Sequence, residues 1–319
     1  MISNCPSVFL MDSKSPKPKV IVICGATGIG KTSVGIELAE KLGGEIVSAD
    51  SMQIYRYMDI GTAKPTPAEL ARAAHHMIDI VNPDDDYDAD QFSKQARERI
   101  AEIVGRGRIP LVVGGTGLYI KALLHGLFQS TPVDPQIRNR LKQEAEENGS
   151  GFLYQRLKEM DPDTAGRLHP NDAYRILRAL ETIESSGTSI SELHQEHGFE
   201  DDPYRVLKVG LQMDRRKLYA RIDQRVELMI VAGLVEEVKK LMELGYTAEL
   251  KSMQSIGYRH VVEFLSAKLP WDECVRTLKR DTRRFAKRQF TWFGADPLIQ
   301  WYEPDRLEEI TRQVDGFLA

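Results

Sequence analysis

The sequence predicts an α/β fold, a parallel sheet flanked by helices, with a small all-helical insertion domain. Three observations carry this. A β-branched run, Val20-Ile21-Val22-Ile23-Cys24, passes through a glycine-rich loop into an apolar-periodic helix beginning near Ser33. Strand and helix patterns then alternate, which calls for parallel strands covered on both faces. From about Pro132 to His197 the alternation gives way to charged helical sequence broken by turns such as Glu147-Asn148-Gly149-Ser150-Gly151.

The loop itself, Gly25-Ala26-Thr27-Gly28-Ile29-Gly30-Lys31-Thr32, fits G-x-x-x-x-G-K-[ST], the phosphate-binding P-loop. Its glycines let backbone N–H groups turn toward an anion, and the helix that follows aims its positive end there. Lys31 brings a mobile charge, and the Thr32 hydroxyl suits a Mg²⁺ carried by the phosphates. A polyphosphate or diphosphate ligand is therefore expected, and nucleotides, ATP among them, are not excluded by the loop alone.

Each further element has its own signal. Glu45–Ala49 reads as a second strand that ends at Asp50. Asp90–Val104 reads as a helix, with Phe92, Ala96, Ile100 and Ile103 on one face. Ile109–Val113 is a buried strand running into Gly114-Gly115-Thr116-Gly117. Arg205–Leu211 is a strand, and a helix from Arg215 to about Met229 follows it. More helices reach Gly294, with a last strand at Leu298–Trp301 and a closing helix over 305–318. Domain limits follow: a flexible tail over 1–18, a P-loop α/β core over 19–133 and 201–319, and the insertion over 134–200. Ligands of such sheets sit at the carboxyl ends of strands, so the P-loop, Asp50 and Thr116 are expected to converge.

Composition narrows the function. With 28% charged and 42% hydrophobic residues the chain has an ordinary soluble balance, and its net charge of −4 excludes a generally basic nucleic-acid binder. Cys5, Cys24 and Cys274 are scattered, which argues for a reducing cytoplasm and against a disulfide framework or a cysteine-built zinc site. No apolar run approaches the roughly 20 residues of a membrane helix, so no membrane partner is expected. His194 and His197 have helical ligand spacing but no acidic or cysteine partner nearby. Asp84-Asp85-Asp86 reads as a solvated turn, and His75 and His76 as structural residues of a cleft wall.

The usual P-loop ATPase has a strand ending in an acid that helps hold Mg²⁺. Leu111-Val112-Val113 runs instead into Gly114-Gly115-Thr116, and the strand-end carboxylate is Asp50, suited to hold a metal or to act as a base. Near the other end, Lys279, Arg283 and Lys287, with Arg280, Arg284 and Arg288, stack at i,i+4 on a predicted helix. Phe285, Phe290, Trp292 and Phe293 interleave with them, a combination that suits a phosphate backbone.

Taken together, the motifs resemble those of the tRNA dimethylallyltransferase family. They are the P-loop, Ser48-Ala49-Asp50-Ser51-Met52-Gln53-Ile54-Tyr55, Met58-Asp59-Ile60-Gly61-Thr62-Ala63-Lys64-Pro65 and His75-His76-Met77-Ile78-Asp79. Gly114-Gly115-Thr116-Gly117-Leu118-Tyr119, His169-Pro170-Asn171-Asp172, Ser255-Ile256-Gly257-Tyr258-Arg259 and Ala286-Lys287-Arg288-Gln289 complete the series. They span about residues 20–295. The zinc finger of many eukaryotic members is absent, so a bacterial-type enzyme is expected.

The resemblance implies transfer of a dimethylallyl group from dimethylallyl diphosphate to the exocyclic amine of the adenine beside the anticodon, with release of diphosphate. It implies Asp50 as general base, Thr116 as a hydrogen-bond partner of the base, and Arg225 together with the P-loop as the diphosphate site. It places Ser51, Met52 and Gln53 along the adenine pocket. It assigns tRNA contacts to Arg138, Asn171, Asp172, Tyr174, Arg175 and Arg178 in an insertion that clasps the anticodon stem. Gln254, Gly257, Tyr258 and Arg259 would touch neighbouring loop nucleotides, and the basic helix adds Arg283 and Lys287. A monomer is expected. Two other readings compete: prenyl transfer to free adenine nucleotides, and a P-loop kinase or NTP-dependent nucleic-acid-binding module. The insertion and the basic helix favour a macromolecular acceptor.

Overall fold

The computed structural model describes residues 16–126, 134–197 and 202–319, the side chains of 150 and 194–197 excepted. Most of the expected tail and the stretch before Asp134 lie outside them, as do the side chains of His194 and His197. Within the tail as drawn from sequence, Lys17 already pairs with Asp202 at 2.6 Å, and the Pro18 carbonyl accepts from Arg205 N–H.

The chain divides into two compact units, 1–124 with 202–319, and 125–201. The first is built on six parallel strands: β1 (Lys19–Gly25), β2 (Glu45–Ala49), β3 (His75–His76), β4 (Pro110–Gly114), β5 (Arg205–Leu211) and β6 (Gln300–Tyr302). Their order is β3-β2-β4-β1-β5-β6. Purely parallel strands have both faces covered, which explains why β1 and β4 read as near-continuous apolar runs and why all five residues of β2, Glu45 and Ser48 included, are buried.

Helices of this unit are α1 (Lys31–Leu42), α2 (Pro67–Arg72), α3 (Ala89–Gly105), α4 (Gly117–His125), α10 (Arg215–Val231), α11 (Leu234–Glu243), α12 (Tyr258–Leu265), α13 (Trp271–Gly294) and α14 (Leu307–Leu318). α3 begins with an Asp88/Gln91 capping box and buries Phe92, Ala96, Ile100 and Ile103, the stripe its spacing predicts. Sequence periodicity did not show α2, α4 or the two-residue β3. The last strand begins two residues later than its apolar run suggests. Leu298 is exposed in a turn whose N–H is held by Asp296 at 3.0 Å.

The second unit holds α5 (Pro135–Asn148), α6 (Ser150–Met160), α7 (Pro162–Arg167), α8 (Ala173–Ser186) and α9 (Ile190–His197). Leu141, Leu153, Leu157, Ile176, Leu180 and Ile183 form its own core.

Candidate active site

The P-loop leaves β1 at its carboxyl end and enters α1 through Gly30, whose φ of 109° is left-handed backbone that glycine tolerates. Lys31 stands half-buried at the start of α1, its Nζ donating to the Ala26 carbonyl at 2.9 Å. Arg225, from α10, is also half-buried. Neither cation forms an ion pair among the described residues. Burial pushes Lys31 down to about 8; the Asp50 carboxylate opposes that shift and the Arg225 charge adds to it. Burial likewise lowers Arg225 against the pull of Asp50, with Arg221 adding to the depression. Two desolvated cations that repel one another beside a glycine-rich helix start make a site for a multiply charged anion.

Asp50 follows β2. Its Oδ1 accepts from the N–H groups of Met52 at 2.9 Å and Gln53 at 3.4 Å, which closes a tight turn, while Oδ2 has no hydrogen bond among the described residues. One carboxylate oxygen thus holds the backbone and the other is free for a proton. Thr116 follows β4, which neighbours β2. Its Oγ1 accepts from Ser51 N–H at 3.0 Å and donates to Ser51 Oγ at 3.3 Å. The P-loop, Asp50 and Thr116 therefore stand at the carboxyl ends of β1, β2 and β4, the edge from which such sheets bind ligands.

The loop after Asp50 is tightly braced. Gln53 uses its whole amide internally: Oε1 accepts from Ser48 Oγ at 3.0 Å, and Nε2 donates to the carbonyls of Thr62 and Ala63. Its side chain is thus a brace of the pocket wall, not a free reader of a base. Lys64, with a side chain only 7% exposed, joins Tyr55 O, Asp59 and Asp79. Glu237 accepts from the N–H groups of Asp59, Ile60 and Gly61 and from the Tyr258 hydroxyl at 2.6 Å. Tyr57, Ala63, Met77 and Asp79 all take positive φ here, backbone that side-chain-bearing residues hold only where surrounding contacts enforce it. Neither Glu237 nor this strained backbone had a local sequence signal.

Several expected tRNA contacts need correction. Tyr258 is 0% exposed, its ring packed so closely on Gly61 that a β-carbon there would overlap it. It supports the 59–61 loop, and its buried side chain presents no surface to a nucleotide in this structure. Gly257 is buried with it, and Arg259 pairs with Asp281 at 2.6 Å. Gln254 is exposed, although its amide also reaches the Ala248 carbonyl.

The basic helix is α13, but much of its charge is used internally. Lys279 pairs with Glu227, Arg283 with Asp223 at 2.5 Å and Arg280 with Asp281 at 2.9 Å. Arg283 therefore ties α13 to α10. Of the six cations in the i,i+4 pattern, Arg284, Lys287 and Arg288 face solvent, and Arg284 also lies 3.7 Å from Asp281, so the open basic face is narrower than the pattern suggests. Asp281 receives Arg280, His260 and Arg259, and these partners hold its carboxyl far below the usual range, the Arg280 hydrogen bond foremost.

In the insertion, Arg138 makes a bidentate pair with Glu181, at 2.7 and 3.1 Å, and Arg178 reaches the same carboxylate at 3.4 Å. Glu181 is 1% exposed, so both arginines first serve to neutralise a buried acid. Asn171, Tyr174 and Arg175 face solvent at the start of α8, whose N-cap is Asp172.

Among the described residues no three His, Cys, Asp or Glu side chains cluster as a metal site. His76 instead bonds Glu45 at 2.7 Å, and Asp85 caps Asn82 N–H, as structural residues do. No helix among them is long and apolar enough to cross a membrane.

Comparison with known proteins bears on this geometry. Residues 53–296 match the family model described as IPP transferase, and residues 18–82 match one described as isopentenyl transferase. The chain is 50% identical over 319 residues to the tRNA dimethylallyltransferase of Desulfosudis oleivorans, covering 100% of this chain and 99% of that protein. It is 51% identical over 308 residues to tRNA dimethylallyltransferase 2 of Syntrophus aciditrophicus, with 97% and 99% covered. Among solved structures it resembles the tRNA isopentenylpyrophosphate transferase of Bacillus halodurans, with a TM-score of 0.71, 38% identity, and 95% and 97% of the two chains covered. A eukaryotic dimethylallyltransferase crystallised acting on tRNA gives a TM-score of 0.72 at 32% identity, covering 86% of this chain and 69% of that one.

Proposed function

This chain belongs to the IPP transferase family, and from that premise we propose that it prenylates tRNA, moving a dimethylallyl group from dimethylallyl diphosphate to the N6 amine of the adenine beside the anticodon. The observation that carries the proposal is the pair of half-buried, unpaired cations, Lys31 and Arg225, next to a carboxylate with one free oxygen. A diphosphate that departs intact needs cationic stabilisation, which these two side chains are placed to give.

In the reaction, the adenine nitrogen forms a bond to the first carbon of the dimethylallyl group as that carbon's bond to oxygen breaks. The electron pair leaves with the diphosphate, where Lys31, Arg225 and the P-loop amides meet the growing charge. An aryl amine is a weak nucleophile because its lone pair is delocalised, so loss of its proton to Asp50 during bond formation aids the step. Thr116 and Ser51 hold the wall against which the base sits. Asn171, Tyr174 and Arg175 of the insertion, and Lys287 of α13, contact tRNA.

Mg²⁺ fits this site as a companion of the substrate. The half-buried Thr32 hydroxyl has no hydrogen bond among the described residues and stands in the first turn of α1, where it would be free to hold an ion carried by the diphosphate. When bound, the ion would neutralise charge on the leaving diphosphate. Every group named comes from one chain, so a monomer suffices. Buried free thiols at Cys24 and Cys274 accord with a cytoplasmic enzyme.

The direct test is mass analysis of tRNA nucleosides after incubation with the protein and dimethylallyl diphosphate. Adenosine heavier by one dimethylallyl group, with an equal amount of diphosphate released and free AMP unmodified, is the expected result. Prenylated AMP would establish the free-nucleotide reading, and tRNA-dependent release of orthophosphate from ATP the kinase or NTPase reading.

The exposed cations of α13 offer a second check. Replacing Lys287 and Arg288 by Ala should weaken tRNA binding and flatten its log–log salt dependence by roughly one to two units, since each phosphate contact contributes about −0.7 to −0.9. Arg283→Ala should leave that slope unchanged, because its charge is already met by Asp223. Equal slopes for wild type and the Lys287/Arg288 double variant would make this face structural.

A further inference from the structure

The P-loop and the turn bearing Thr116 leave different strands, β1 and β4, yet the reaction requires what they hold to meet within bonding distance. One side chain spans them. Gln289 of α13 is only 6% exposed; its Oε1 accepts from Thr27 N–H at 2.8 Å, and its Nε2 donates to the Gly115 carbonyl at 2.8 Å. We propose that Gln289 is a positioning residue, a strut that sets the separation between the diphosphate loop and the Thr116 turn and so aligns the reacting carbon with the attacking nitrogen. This rests on the prenyl-transfer reading above.

Three features support a strut over ordinary buried polarity. First, the amide is used at both ends, as acceptor toward one loop and donor toward the other, so neither a carboxylate nor a hydrocarbon of equal size reproduces it. Second, the Thr27 amide lies within the P-loop but is committed to Gln289, so this member of the loop is held by protein and is not open to the anion. Third, the turn is shaped around the contact: a β-carbon at Gly115 would collide with the Gln289 amide nitrogen, and one at Gly117 with the Trp292 indole of the same helix. α13 thus grips the turn on both sides of Thr116. Gln289 reaches no reacting atom itself and acts only through the two loops.

In-line displacement at carbon is sensitive to such spacing, since a displacement of about 1 Å can cost ~10²-fold in rate. The test compares wild type with Gln289→Met, which keeps side-chain length, and Gln289→Ala. The readouts are kcat at saturating substrates, KM for dimethylallyl diphosphate and for tRNA, and the thermal unfolding midpoint. Expected is a fall in kcat of about 30–100-fold in the Met variant, with each KM within about threefold of wild type. A lower unfolding midpoint with kcat preserved would overturn the proposal, because that is what a merely structural residue gives. So would a loss confined to KM for dimethylallyl diphosphate, which would make Gln289 a part of the anion site. Should Gln289→Ala fail to fold, the Met variant decides alone. A wild type that does not prenylate tRNA would sink the function and this inference together, whereas an active wild type with an equally active Met variant sinks the strut only.

Discussion

Asp50→Ala should lower kcat by on the order of 10²–10⁴, the usual worth of a general base, while tRNA affinity changes little. The geometry allows a sharper version. Oδ1 closes the turn onto Met52 and Gln53, and Oδ2 is the oxygen available to the amine proton. Asp50→Asn can retain the turn through its carbonyl oxygen but cannot take a proton, so its kcat should fall nearly as far as that of the Ala variant. If Asn kept near-normal turnover while Ala did not, Asp50 would be a turn former and the base would have to be sought elsewhere. Either substitution also removes the negative charge that opposes the burial-driven depression of Lys31, so the Lys31 ammonium should titrate lower than in wild type.

Lys31→Ala and Arg225→Ala are each expected to cost about 3 kcal/mol of leaving-group stabilisation, or on the order of 10²-fold in kcat/KM for dimethylallyl diphosphate. Each removes a cation placed where charge accumulates as the carbon–oxygen bond breaks. A pH signature accompanies the lysine. With Lys31 at about 8 in the free protein, its charged form is depleted as pH rises past that value, so diphosphate affinity should weaken above about pH 8. The sign follows from burial: the empty site disfavours the ammonium, and an anion restores it. Lys31→Ala should bind weakly at every pH and lose this dependence. Unaltered kinetics in both variants, or an affinity that rises with pH, would show that the diphosphate sits elsewhere.

The parts of the site that were legible in sequence are those whose chemistry is local. A phosphate loop needs glycines, a lysine and a hydroxyl at fixed spacing between one strand and one helix, so eight consecutive residues suffice to announce it. Asp50 and Thr116 could be placed at strand ends because an apolar run stops there and parallel topology carries strand ends to one edge. The reading failed where a side chain's role depends on a partner distant in sequence. Arg283 looked like a member of an open basic face until Asp223 met it, and Tyr258 looked like an exposed motif aromatic until Glu237 and Gly61 enclosed it. Arg138 and Arg178 share Glu181 in the same way.

Sequence by itself determined the parallel α/β architecture, the helical insertion, the anion-binding loop and, through the order of motifs, the family. Periodicity and short motifs encode these because they are satisfied within a strand, a helix or the turn between them. Tertiary structure alone decided which charges are free and which are neutralised, that Gln53 braces its loop, and that Gln289 joins Thr27 to Gly115. The two ends of that last contact lie 262 and 174 positions from Gln289. No local pattern records such pairings, because a hydrogen bond acts over about 3 Å of space and is indifferent to the length of chain between its partners.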